Sequence, residues 1–67
     1  MKWIAEPAAL KPRRFVIERD PLAGFFLSVF EGARCTHDYR ESTLDIAMCQ
    51  AEEDFGVPRN AWQHLVN

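Results

Sequence analysis

The chain has 67 residues, 48% of them hydrophobic and 27% charged, and carries 10 acidic against 8 basic side chains for a formal net charge of −2. This composition is ordinarily globular and excludes an intrinsically disordered chain; the missing basic excess counts against a nucleic-acid-binding module, which draws most of its non-specific affinity from neutralising phosphates. A domain this short buries only about 60% of the surface its unfolded chain exposes, so a disulfide, a metal or self-association is expected to supplement a thin core.

Two cysteines, Cys35 and Cys49, lie far apart without a Cys-x-x-Cys pair, which is neither a disulfide framework nor a zinc-ribbon spacing. Met1 to Pro7 has no apolar run resembling a signal-peptide core, and no stretch approaches the roughly 18 apolar residues of a membrane span. The expectation is a cytoplasmic protein with reduced thiols and no membrane partner. Metal or self-association then remains as the supplement.

In chain order, residues 1–12 read as an N-terminal arm: Pro7 and Pro12 break any long helix, and Trp3 and Ile4 suit a short strand or a hydrophobic anchor. Residues 13–67 read as a single α+β domain. Arg13 to Arg19 is rich in β-branched and aromatic residues and ends in the turn-forming run Asp20 to Gly24. Phe25 to Glu31 follows as a second strand, and Gly32-Ala33 reverses the chain into a more polar third strand, Arg34 to Arg40. Ser42 occupies the N-cap position of a helix over about Thr43 to Phe55, with Asp45 in the capping-box position. Leu44, Ala47, Met48, Ala51 and Phe55 recur at helical spacing as the stripe that faces the sheet. Gly56 is the left-handed residue after the helix, Val57 supplies the accompanying contact, and Pro58 stops the helix before a second, short one over Arg59 to Val66. The fold class is therefore a three-stranded antiparallel β-meander packed by one amphipathic helix, followed by a short C-terminal helix.

One helix covers one face of such a sheet, yet both faces of the second strand carry large side chains. Phe25, Leu27 and Val29 alternate with Phe26, Ser28 and Phe30; Phe15 and Ile17 alternate with Val16; and Ile46 and Cys49 fall opposite the helix's core stripe. Either the arm and the Trp62, Leu65 and Val66 tail wrap over the second sheet face, or the surplus meets another chain, a second copy or another protein. The candidate interaction surface is Phe26, Phe30, Ile46 and Cys49.

Other constellations are weaker. Cys35 and His37 are expected on one face of the third strand, where with Cys49 or His64 they would form a thiolate and imidazole zinc site. Without paired spacing they read better as an interior thiol and a surface imidazole, so no metal or other cofactor and no catalytic residue is assigned. Asp45, Glu52, Glu53 and Asp54 scatter over the helix's solvated arc, and Asp38 is a lone strand carboxylate. Lys11, Arg13, Arg14, Arg19, Arg34 and Arg40 lie in the arm and sheet, so the domain is expected to be electrostatically two-sided. Gly24, Gly32 and Gly56 each serve a turn or cap, and no Gly-rich phosphate loop exists.

The run Phe15 to Phe55 resembles the HicB-like antitoxin domain: a strand, an Asp- and Gly-containing loop, an aromatic second strand, a third strand, then Ser42-Thr43-Leu44-Asp45-Ile46-Ala47 opening a helix. The family's Pro-Leu-Pro-Gly-Cys segment is replaced here by Glu31-Gly32-Ala33-Arg34-Cys35. The resemblance implies a non-enzymatic protein whose sheet or helix face blocks a small toxin partner. The sequence reading thus favours a small protein-interaction or regulatory domain, with a nucleic-acid-associated module using the arginine-bearing sheet as the alternative and a small enzyme with a shared site behind it.

Overall fold

A computed structural model describes residues 1–66. Its strands are β1 (Lys2–Ala5), β2 (Arg13–Asp20), β3 (Gly24–Glu31), β4 (Arg34–Glu41) and β5 (Gln63–Leu65), with one helix, α1 (Leu44–Phe55), and short 3₁₀ turns at Ala8–Leu10 and Arg59–Ala61. All neighbouring strands are antiparallel, in the order β4-β3-β2-β1-β5. The expected α+β class holds, but the sheet has five strands rather than three.

Both additions come from the chain's two ends. Lys2–Ala5 takes the strand alternative and pairs with β2, placing Trp3 opposite Ile17 and Ala5 opposite Phe15. The expected C-terminal helix is not formed: after a single 3₁₀ turn, Gln63–Leu65 runs along β1, with His64 opposite Trp3. The physical reason is that eight residues make a marginal helix, whereas the free edge of β1 offers ladder hydrogen bonds. The imidazole of His64 lies flat against the Trp3 indole, ring centroids 4.6 Å apart, which adds side-chain contact to a short pairing. The ends therefore widen the sheet instead of wrapping over its second face.

The core lies between the sheet and α1. Phe15, Ile17, Leu27 and Val29 are fully buried, as are Ala47 and Ala51 of the helix and Val57 just beyond it. The two alanines let the helix backbone approach closely, while Leu44, Met48 and Phe55 flank them as the expected stripe. Phe55 anchors an aromatic group with Phe15, His37 and Tyr39, at centroid distances of 5.5, 5.1 and 6.4 Å. The helix starts one residue later than the Ser42 cap implied, because β4 continues to Glu41; Thr43 is the N-cap, its Oγ1 accepting from the Ile46 N–H at 3.1 Å. Asp45 is consequently no capping-box partner and instead accepts a 2.6 Å hydrogen bond from Arg59 Nη2. Gly56, at φ 79°, closes the helix with its N–H on the Glu52 carbonyl.

Of the three glycines, the one in the turn between β2 and β3 has the least room. Gly24 sits at φ 96°, and a Cβ built there would lie 2.6 Å from the Glu41 carbonyl oxygen; Gly32, at φ 62°, has open space around it. Gly32→Ala should therefore cost about 1 kcal/mol for the left-handed backbone alone. Gly24→Ala should cost about 1–3 kcal/mol more, because it also forces an atom into filled space. Urea denaturation of the two variants checks the order, and equal midpoints would contradict it.

Candidate functional site

Strand alternation places every second residue of the sheet on the side away from α1. The registers arrange these outward residues in rows across the strands. One row runs Leu65, Lys2, Glu18, Phe26, Arg40; the next runs Gln63, Ile4, Val16, Ser28, Asp38; a third joins Arg14, Phe30 and Cys35. Among the described residues no helix or loop segment forms a second layer here. The helix packs on β2, β3 and β4 from the opposite side.

The centre of this face is apolar, from Ile4 through Val16 to the two phenylalanines. Each ring carries a guanidinium: Arg14 lies 5.1 Å from the Phe30 centroid and Arg40 lies 5.4 Å from that of Phe26. These cation–π contacts and the arginine stems leave both phenylalanines half-buried rather than bare. Glu18 and Asp38 alternate with Lys2, Arg14 and Arg40, so the face is mixed in sign. It is not the basic surface expected from the arginine count in the strands. Val16, Glu18, Phe26, Ser28 and Asp38 border an open depression of about 230 Å³, and Asp20 stands at its rim.

The four residues singled out from the sequence fall on two sides of the molecule. Phe26 and Phe30 lie on the open sheet face. Ile46 and Cys49 lie on the helix: Ile46 is 44% exposed, and Cys49 Sγ is 3.5 Å from Arg59 Nη1, under the same guanidinium that binds Asp45. The hydrogen bond to that carboxylate raises the Arg59 pKa above its ordinary value. Ile4, Arg14, Val16, Glu18, Ser28, Asp38 and Arg40 join the surface beyond the four residues singled out, although Val16 was already expected on the face opposite Phe15 and Ile17, and Arg14 and Arg40 in the arginine-bearing sheet. For Arg14, Val16 and Glu18 the signal was their alternation with Phe15 and Ile17; for Ile4 it was only the short strand that Trp3 and Ile4 suit, whose partner the sequence did not give.

Cys35 and His37 do not share a face. A β-bulge between Val29 and Phe30 on one strand and Cys35 and His37 on the other leaves Thr36 as the extra residue, its Oγ1 donating to the Val29 carbonyl at 3.3 Å. His37 consequently pairs with Val29 and meets Phe55 on the helix side, whereas Cys35 pairs with Phe30 on the open side. His64 is at the far edge, against Trp3. Among the described residues no three His, Cys, Asp or Glu side chains are grouped to hold a metal ion, and both cysteines are free.

No protein-family model, curated protein or solved structure matches the chain. Among the described residues no helix is long and apolar enough to cross a membrane.

Asp20 organises the turn at the rim of the face. Its Oδ1 accepts from the Leu22 and Ala23 N–H groups at 2.8 and 3.0 Å, and these bonds, with Arg40 nearby, hold the carboxyl below its ordinary value of 3.8. A carboxylate whose folded pKa is depressed stabilises the fold above the unfolded pKa, and the contribution disappears as pH falls through the folded one. Asp20→Ala should therefore lower the melting temperature at pH 7, and the gap to wild type should narrow below about pH 4. Melting curves across pH check this; a gap that widens in acid would contradict it.

Proposed function

We propose that this chain is a small, non-enzymatic protein-interaction domain that binds through the open face of its sheet. The observation that carries this reading is the row of Ile4 and Val16 between Phe26 and Phe30, which no second layer covers among the described residues. Contiguous apolar surface of this kind on a small domain marks a contact site more often than an accident of composition. The sheet edges are poorer candidates. Edge strand β4 is bulged and bears Arg34, His37, Asp38 and Arg40, and edge strand β5 has three residues, both features that discourage edge-to-edge pairing. The resemblance of Phe15 to Phe55 to the HicB-like antitoxin domain would fit a regulatory role in which the face occludes a partner.

A second reading rests on a different observation. Arginines laid over aromatic rings on an open antiparallel sheet also suit the stacking of unpaired bases. Glu18 and Asp38 oppose it, since phosphates would meet carboxylates between the arginines. Retention on single-stranded nucleic acid that falls steeply with salt would favour it over protein contact.

A photo-crosslinking amino acid placed at Ser28, at the centre of the face, should capture a protein in the source cells, while one at Glu53, on the exposed side of the helix, should not. Equal capture from both positions, or none from Ser28, would overturn the assignment of this face.

A further inference from the structure

We infer that the open face pairs with the same face of a second copy, across a two-fold axis running perpendicular to the strands along the row Ile4, Val16, Ser28. This rests on the reading of that face as a docking surface and names its occupant. Val16 pairs with Ser28, and Ile4 pairs with Val16. Two residues from Val16 in one direction is Arg14, and two in the other is Glu18; two from Ser28 in each direction are Phe26 and Phe30.

A two-fold along this row exchanges the two ends. Arg14 then faces Glu18 of the second copy, and Glu18 faces its Arg14. Phe26 faces Phe30 of the second copy and the reverse, while Ile4, Val16 and the small Ser28 meet their own counterparts on the axis. An isologous interface needs such self-complementarity, in which each residue of a pair appears on both partners. Strand would lie over antiparallel strand, which suits aligned sheet packing with its modest twist angle.

The area is adequate. Three strands of eight residues and two short ones, at about 4.8 Å between strands and about 3.3 Å per residue, give roughly 500 Å² in projection. Counted on both partners this comes to the roughly 1,000 Å² at which a specific, if small, interface begins. Charge favours a second copy over a strongly charged partner, because Lys2, Arg14 and Arg40 are interleaved with Glu18 and Asp38. One contact is unfavourable: Asp38, in the axial row, meets its own copy at the β4 edge.

Light scattering over a concentration series should give twice the 7.8 kDa chain mass at micromolar concentration. Arg14→Glu and Glu18→Arg should each weaken association about tenfold by opposing like charges, and the double exchange should restore it. Asp38→Asn should strengthen it. Circular dichroism melts confirm that each variant is folded, as expected for exposed positions. A wild-type monomer at high micromolar concentration overturns self-pairing, and a dimer indifferent to the charge exchange overturns this arrangement. A monomer that still crosslinks another protein from Ser28 removes the second copy and leaves the interaction domain standing; a monomer without crosslinks removes both.

Discussion

The packing of Ala47 and Ala51 against Phe15, Ile17, Leu27 and Val29 is the contact on which the rest of this chain depends. Among the described residues it is the one place where two layers meet, and the small residues let a twelve-residue helix come close enough to bury the middle of the sheet. Everything around it serves to hold that contact in register. Thr43 starts the helix at the end of β4, Gly56 ends it, and Val57 turns directly into the core. Gly24 closes the β2–β3 turn in a conformation and a space that no side chain fits.

The same contact has a consequence on the other side. A single helix covers one face, and among the described residues no second helix lies on the other, because Gln63–Leu65 are drawn to the edge of β1. The sheet gains width, and the added strands continue the open face as much as the covered one: β1 contributes Trp3 and Ala5 inward, and Lys2 and Ile4 outward. Extra hydrogen bonding at the edges thus increases the area for which the fold itself supplies no cover. The arginines partly compensate, their stems and guanidinium groups lying over Phe26 and Phe30.

Chemistry is arranged less favourably than contact. The bulge at Thr36 sends Cys35 and His37 to different faces, and Cys49 and His64 lie elsewhere on the molecule. What the open face concentrates instead is aromatic and aliphatic surface in a frame of alternating charge.

The sequence by itself determined the local elements. The alternation of Phe15 and Ile17 with Val16, and of Leu27 and Val29 with Phe26 and Phe30, assigned two strands and both of their faces, because side-chain direction in a strand depends only on parity. The stripe Leu44, Ala47, Met48, Ala51 and Phe55 assigned the helix and its buried side for the same reason at a period of 3.6. The surplus on Phe26 and Phe30 was legible too. Only the tertiary structure decided where the ends go, since Lys2–Ala5 and Gln63–Leu65 are too short to carry a period and become strands only because an edge is there to pair with. It also decided the separation of Cys35 from His37, because a bulge inverts parity and depends on how two strands fit, a relation between segments that neither one encodes alone.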